Sequence, residues 1–311
     1  MSLVYRGRFA PSPTGALHLG SARTALVAWL RARSAGGALV MRVEDLDPPR
    51  VVPGAAEAIL DDLRWLGLDW DEGPDVGGPD APYVQSERSA LYDAAIARLV
   101  RSGAVYPCTC SRKEIASIAS APHGPADDGP RYPGTCRNGP THPGRPAALR
   151  FRMPEPAPGF VDAIHGAIPE EPGADDFVVR RADGLFAYQL AVVVDDAAMS
   201  VTEVVRGDDL LASTPRQLAL FRALGHDPPP AFAHVPLVLG PDGARLAKRH
   251  GAISIASMRE RGLSAERVVG ALAATLGLVG PGVSVTPREL VAGFDLTRVP
   301  RTPIALADLL V

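Results

Sequence analysis

Lysine is almost missing from this sequence. Of 32 basic residues only Lys113 and Lys248 are lysine; the other 30 are arginine. A lysine kept in such a background marks a place where a compact ammonium on a flexible stem serves better than a planar fork. Cysteine is scarce too. Three residues, an odd number, argue against a disulfide framework. Neither sign of charge is in excess: the net charge is -3 and the pI about 6.2. That balance excludes a generally basic surface, so any RNA contact must come from a local basic face. No apolar run reaches the roughly 18 residues that span a membrane. The N-terminus lacks a basic stretch followed by an apolar one, so no signal peptide is expected. Repeats, heptads and long charge blocks are absent as well. A cytoplasmic chain without a membrane partner is the expectation. What is present is length and apolar content: 311 residues, 46% hydrophobic, enough for two or three small domains.

The most informative stretch runs from Arg8 to Ser21, Arg-Phe-Ala-Pro-Ser-Pro-Thr-Gly-Ala-Leu-His-Leu-Gly-Ser. Val4 and Tyr5 read as the end of a buried strand. Pro11 and Pro13 then disfavour helix and force a kinked loop. Ser21 to Ala35 reads as a helix with Ala22, Leu26, Trp29 and Leu30 on one side. Strand, Gly15-bearing loop and helix N-terminus together form an anion site, because unpaired N–H groups and the helix dipole point at the ligand. His18 stands where its imidazole could donate to a phosphate. The stretch is neither a Walker loop nor a dinucleotide G-x-G-x-x-G loop. A plain proline turn before a helix is the alternative.

Strand–helix alternation continues. Ala38 to Glu44 reads as a strand, Pro53 to about Leu68 as a helix, Trp70 to Pro82 as a loop, and Ser86 or Glu87 to Gly103 as another helix. Such alternation marks a parallel α/β sheet. Phe177 to Arg181, Asp183-Gly184 and Leu185 to Val194 read as a hairpin with a type I′ turn. Ser200 to Val205 is a further strand, ending in Arg206-Gly207-Asp208-Asp209. Ser213 and Thr214 are expected to cap a helix that starts at Pro215 and closes at Gly225. Beyond Pro228 short helices are expected over Ser254–Arg261, Ser264–Leu278, Pro287–Ala292 and near Leu306.

All three cysteines fall in one short Pro- and Gly-rich segment: Cys108-Thr-Cys110, then Tyr132-Pro-Gly-Thr-Cys136. Three thiolates suit tetrahedral zinc and lack one ligand, for which His123, His142 and Tyr132 are candidates. Ordinary reduced cysteines are the competing reading, since Cys-x-Cys is less diagnostic than Cys-x-x-Cys. An insertion with little apolar periodicity would need such a staple.

Pro11-Ser-Pro-Thr-Gly15 followed by His18-Leu-Gly-Ser21 resembles the His-Ile-Gly-His signature of class I aminoacyl-tRNA synthetases, with Ser21 in place of the second histidine. Arg8-Phe-Ala-Pro-Ser-Pro resembles the glutamyl branch. Leu237-Val-Leu-Gly-Pro-Asp-Gly-Ala-Arg-Leu-Ala-Lys-Arg249 resembles the second, Lys-Met-Ser-Lys-Ser signature, with Arg245 and Lys248 at its two lysines and Ala247 where serine is usual. The two signatures occur in the family's order.

The resemblance implies an α/β fold: a class I synthetase Rossmann-type parallel sheet, a zinc-bearing insertion and a C-terminal helical stem-contact region. The expected division is 1–105 and 186–226 for the two halves of the nucleotide-binding domain, 106–185 for the insertion and 227–311 for the helical region. It implies His18 and Lys248 as catalytic residues, Lys248 neutralising the pyrophosphate leaving group. His18, Gly20, Ser21 and Lys248 would bind ATP, with Mg2+. Arg8, Phe9, Ala10, Pro11, Ser12, Glu44, Tyr188 and Arg206 would bind L-glutamate. Arg206 and Arg8 would take the side-chain carboxylate and Glu44 the ammonium. Cys108, Cys110, Tyr132 and Cys136 match the family's zinc pattern, for one structural ion.

The chain reaches Val311 soon after the helices that touch an RNA stem. That length resembles the truncated glutamyl-queuosine branch of the family. This branch implies ATP-dependent activation of glutamate without tRNA. Transfer to queuosine in the anticodon stem-loop of tRNA(Asp) would follow. Arg131, Arg137, Arg249 and Arg259 are candidate phosphate contacts. A short enzyme that charges the 3′ end of tRNA(Glu), and a silent tRNA-binding paralogue, are the competing readings. His165, His226, His234 and His250 are expected to be structural or exposed. A monomer is expected.

Overall fold

The computed structural model describes residues 4–118, 132–173, 175–240 and 254–305. β1 (Arg6–Phe9) leads through the proline loop into α1 (Leu19–Ser34) and then β2 (Ala38–Met41). β1 and β2 pair in parallel, Arg8 opposite Val40. Ala22, Leu26, Trp29 and Leu30 are buried, as the helical spacing requires. Each large member of that face contributes about 2 kcal/mol by leaving water. Ala25, Ala28 and Ala32 are buried too, and small side chains there let the sheet approach closely. α2 (Ala55–Trp65) starts two residues after Pro53, because Gly54 sits at its N-cap with φ 76°. α3 (Ser89–Arg101) closes the first half, covering Tyr92, Ile96 and Leu99.

β3 (Val105–Cys108) and α4 (Arg112–Ile118) open the insertion. β4 (Ala148–Phe151), β5 (Phe160–Asp162), β6 (Gly166–Ile168) and β7 (Phe177–Arg180) follow. β3, β4 and β7 make an antiparallel three-stranded sheet. The β5–β6 hairpin joins a different sheet, through β9, although its sequence position falls inside 106–185.

α5 (Tyr188–Ala198), β8 (Glu203–Gly207), α6 (Thr214–Ala223) and β9 (Ala231–Val235) form the second half. β8 and β9 are parallel, with Arg206 opposite His234. β8 lies beside β1: the Thr202 N–H donates to the Arg6 carbonyl at 2.8 Å. The strands β2, β1, β8 and β9 therefore run side by side with their carboxyl ends on one rim. β10 (Val238–Leu239), α7 (Ile255–Glu260), α8 (Ala265–Thr275), α9 (Pro287–Leu290) and β11 (Ile304–Ala305) complete the described chain. Ser254 and Ser264 cap α7 and α8 by accepting the N–H groups of Ser257 and Arg267, and Thr286 with Glu289 forms a capping box on α9. The helix expected near Leu306 lies outside the described residues.

Several expectations need correction. β1 extends through Phe9, so Arg8 sits on a strand rather than in the loop. Residues 185–194 are not a strand. Arg180 and Phe186 form a single antiparallel bridge, and α5 then begins at Tyr188. A continuous apolar run such as Leu190 to Val194 suits a fully buried helix as well as a buried strand. The 11-residue length of α5 favours the helix. The turn is not type I′, which needs positive φ at both central residues; Gly184 has it, at 91°, and Asp183 does not. Ser213 makes no side-chain capping bond; a 3-10 segment, Asp208–Ser213, leads straight into α6.

Candidate active site

A cleft of about 720 Å³ opens at the carboxyl ends of β1 and β8, against the N-terminus of α1. Arg8, Phe9, Ala10, Pro11, Ser12, His18, Gly20, Ser21, Glu44, Tyr188 and Arg206 all line it. Residues spread over two hundred positions of sequence thus share one cavity. Lys248, with Arg245 and Ala247 of the second signature, lies outside the described residues.

His18 is the N-cap of α1. Its Nδ1 accepts the Ser21 N–H at 3.1 Å, and its Nε2 stands 3.0 Å from the Ser21 hydroxyl. The ring is therefore folded over the first turn with Nδ1 as acceptor, which leaves Nε2 to carry the proton of the neutral form. Gly20 permits this: a Cβ there would stand 3.3 Å from His18 Nδ1. Ser21 at the place of a second histidine keeps a hydroxyl within hydrogen-bond reach of the first. Gly20 and Ser21 of the α1 N-terminus line the same cavity, and a helix N-terminus is where phosphate binds.

Deeper in, charge is packed densely. Arg42 is fully buried and meets Asp196 at 2.8 Å, Glu44 at 3.0 Å and Asp195 at 3.7 Å. Burial pushes its guanidinium down, but the three carboxylates outweigh that and hold it above its ordinary value. Arg8 donates to the Val205 carbonyl at 3.0 Å and lies 3.5 Å from Asp196. Burial pushes the Glu44 carboxyl up, against the pull of Arg42 and Arg8. Arg88 meets Asp195 at 2.6 Å. Arg42, Asp195 and Asp196 had no place in the sequence expectations. The two aspartates fell beyond a misassigned strand, and Arg42 sits in the middle of an apolar run.

Arg206 differs from its neighbours. It is 4% exposed, and its described partners are all neutral: His234 Nε2 at 3.0 Å, Gln217 Oε1 at 2.7 Å, Thr214 Oγ1 at 2.8 Å and the Leu210 carbonyl at 3.3 Å. Burial lowers its affinity for the proton, and Arg8 adds to that. The guanidiniums of Arg8, Arg42 and Arg88 thus each lie against a carboxylate of Glu44, Asp195 or Asp196, whereas Arg206 reaches its nearest bonded carboxylate, Asp162, only through the His234 ring. A buried guanidinium with no carboxylate hydrogen-bonded to it gains from an anionic partner. Tyr188, at the start of α5, lines the same wall, and burial pushes its phenol up.

The cysteines gather although Cys136 lies 26 residues beyond Cys110. Cys108, Cys110 and Cys136 bring their Sγ atoms within 4.8 Å of one another, with Cys110 and Cys136 at 3.5 Å. Tetrahedral zinc with Zn–S near 2.3 Å needs sulfur separations of about 3.8 Å, so the cluster fits. The Tyr132 hydroxyl stands 3.4 Å from Cys108 Sγ and accepts the Cys136 N–H at 2.7 Å. The Arg150 guanidinium stacks on the Tyr132 ring at 3.7 Å. Burial acts to raise the Cys136 thiol, yet hydrogen bonds from Thr141 and Thr109 bring it down to about 5. Burial and Cys136 push Cys110 up to about 11. His142 instead faces Glu114, at 3.1 Å. His123 lies outside the described residues, as do Arg131 and Arg249. Arg137 pairs with Asp176 at 3.2 Å, and Arg259 stacks on Trp65.

Comparison with known proteins agrees with this geometry. Residues 5–299 match the family of class I tRNA synthetases (E and Q), catalytic domain. A Symbiobacterium thermophilum protein named Glutamyl-Q tRNA(Asp) synthetase is 58% identical over 308 residues, covering 96% of this chain and 95% of its own. A Glutamate--tRNA ligase of Anaeromyxobacter sp. is 48% identical over 300 residues, covering 96% of this chain and 63% of its own. The crystal structure of a glutamate tRNA ligase from Elizabethkingia meningosepticum in complex with its amino acid superposes with a TM-score of 0.83 at 31% identity, covering 97% of this chain and 66% of that one. With two parallel-strand halves, a cleft on their carboxyl rim and these relatives, the chain is a ligase of the aminoacyl-tRNA synthetase type and belongs to the class I tRNA synthetases of the glutamyl and glutaminyl kind, among the Glutamyl-Q tRNA(Asp) synthetases.

Proposed function

We propose that this protein activates L-glutamate with ATP and transfers it to the queuosine base at the first anticodon position of tRNA(Asp). The observation that supports the first half is that Arg206, buried at the cleft, has only neutral hydrogen-bond partners among the described residues. The side chain of glutamate brings a carboxylate to meet that guanidinium; the side chain of glutamine brings a neutral amide. Arg206 and Arg8 take the side-chain carboxylate, and Glu44, whose carboxyl is held up by burial, gains from the ammonium. The free α-carboxylate attacks the α-phosphorus of ATP. A carboxyl–phosphorus bond forms and the bond to pyrophosphate breaks. His18, Gly20 and Ser21 at the α1 N-terminus receive the phosphates, with Mg2+ as counter-ion. By resemblance, Lys248 neutralises the leaving pyrophosphate. A hydroxyl of the queuosine cyclopentenediol then attacks the adenylate carbonyl. AMP leaves, an ester remains, and one proton is released.

The second half, queuosine as acceptor, follows the name of the relative that shares 58% identity along both chains. The relatives named Glutamate--tRNA ligase support charging of a tRNA 3′ end instead. Pyrophosphate exchange with glutamate is expected to run without tRNA. With labelled glutamate and separated tRNAs, the label is expected on tRNA(Asp), and an anticodon stem-loop carrying queuosine should suffice as acceptor. Label on the 3′ end of tRNA(Glu), or an absolute need for tRNA in exchange, would give the function to the second reading.

Cys108, Cys110, Cys136 and Tyr132 hold one zinc that ties the insertion together; the ion's contribution is structural. Metal analysis should find about one zinc per chain, lost in Cys136→Ser together with about 2–5 kcal/mol of stability. Zinc-free protein that unfolds at the same denaturant concentration would exclude the ion.

A further inference from the structure

The buried His234 is unused by the chemistry above, yet it touches the residue that carries specificity. It is 0% exposed, on β9, across the β8–β9 pairing from Arg206. Its Nδ1 lies 2.6 Å from Asp162 Oδ2 on β5. Its Nε2 lies 3.0 Å from Arg206 Nε and 3.2 Å from Thr214 Oγ1. An arginine Nε–H can only donate, so Nε2 must be a bare acceptor and the ring proton must sit on Nδ1. Asp162 enforces that tautomer. Its Oδ1 takes the N–H groups of Ile164 and His165 at 2.9 Å each, and its Oδ2 takes the His234 N–H at 3.1 Å. The carboxylate is thereby held in one orientation, with Oδ2 aimed at the ring.

We propose that Asp162 and His234 form a positioning relay that fixes the guanidinium plane of Arg206 and so sets the preference for glutamate over glutamine; this rests on the reading of Arg206 as the partner of the substrate side chain. Arg206 has five N–H groups. His234, Gln217, Thr214 and the Leu210 carbonyl occupy four. One is left without a described partner, and Arg206 lines the cleft. The Arg206 guanidinium carbon lies over the Phe232 ring, 5.3 Å from its centroid. The ring stays neutral as the relay requires: burial drives the His234 imidazole down to about 4, with the Arg206 charge adding to that against the pull of Asp162. A protonated ring would set a donor and a second positive charge against Arg206.

Asp162→Asn is the sharp test, because it keeps size and the Oδ1 bonds to the Ile164 and His165 N–H groups, gives up the His234 N–H bond at Oδ2, and turns an acceptor toward the ring into a donor. The ring then moves its proton to Nε2, and two N–H groups confront each other at Arg206. In tRNA-free pyrophosphate exchange, Asp162→Asn is expected to raise KM for glutamate about 10- to 100-fold, with a smaller change in kcat, and to narrow the ratio of glutamate to glutamine activation. His234→Gln, whose amide can donate to Asp162 and accept from Arg206, should retain most of the discrimination, and His234→Leu should lose it. Nitrogen NMR of the imidazole reads the tautomer directly: Nδ1 protonated in the wild type, Nε2 protonated in Asp162→Asn. A wild-type ring protonated at Nε2, or Asp162→Asn with unchanged KM and selectivity in a correctly folded protein, overturns the relay. A wild type that activates no glutamate overturns the functional reading alone, since the NMR measurement still decides how His234 is held.

Discussion

Arg206→Met is expected to lower kcat/KM for glutamate activation by about a thousandfold, roughly the cost of removing one partner from a buried, hydrogen-bonded charge pair. The size follows from what surrounds the guanidinium. No described carboxylate is hydrogen-bonded to it, so the substrate carboxylate is the negative partner in direct contact. Water is largely excluded at 4% exposure, which strengthens that attraction. Arg206→Lys should fall between, at about a hundredfold. An ammonium keeps the charge but cannot reach His234, Gln217 and Thr214 in one plane while also facing the cleft. The loss should sit mainly in KM, because the side-chain carboxylate is equally charged in ground and transition states. Initial rates of pyrophosphate exchange over a glutamate series measure both constants. Arg206→Met within tenfold of wild type would remove Arg206 from substrate recognition. So would an equal loss with a neutral amino acid, since that would indicate a damaged fold rather than a missing charge.

The parts legible in the sequence were those with local signals. His18 and the proline loop stand in one short stretch, and the strand–loop–helix geometry around them follows from proline and glycine chemistry. Ala22, Leu26, Trp29 and Leu30 announce their face by spacing. The clustering of Arg8, Glu44, Tyr188 and Arg206 came instead from the family resemblance, and the cavity brings them together. What stayed illegible was non-local. His234 reaches Arg206 only because β8 and β9 pair in one register, and Asp162 reaches His234 only because a hairpin inside the insertion returns to the central sheet. Nothing within a few residues of either signals that. Leu190 to Val194 failed for a different reason. A helix buried on every side has lost the polar face that periodicity detects.

That same misread helix carries the fold's most concentrated electrostatics, and Asp195→Ala is expected to cost about 3–5 kcal/mol of stability, the usual effect of breaking a buried ion pair by removing one side. Asp195 is 0% exposed. It accepts from Arg88 Nε at 2.6 Å, from Gln85 at 2.8 Å and from the Tyr92 hydroxyl at 2.9 Å, and lies 3.7 Å from Arg42. Without it Arg88 keeps only the carbonyls of Asp80 and Pro82, and Arg42 must rely on Asp196 and Glu44. One cation, Arg88, and two neutral donors, Gln85 and Tyr92, lose their carboxylate partner at once. A domain holds only about 5–15 kcal/mol in total, so the variant should sit near its unfolding threshold at moderate temperature. Asp61→Ala is the control. That carboxylate is exposed and lies 3.7 Å from Arg64, so it should change stability by at most about 0.5 kcal/mol. Urea unfolding followed by circular dichroism compares the three proteins. The consequence reaches the cleft, because Arg42 touches Glu44 on one side and Asp195 and Asp196 on the other. Loss of Asp195 draws Arg42 toward its remaining partners, so residual folded protein should also bind glutamate more weakly. An Asp195→Ala protein as stable as Asp61→Ala would mean that solvent reaches the arginines and that the network is not sealed.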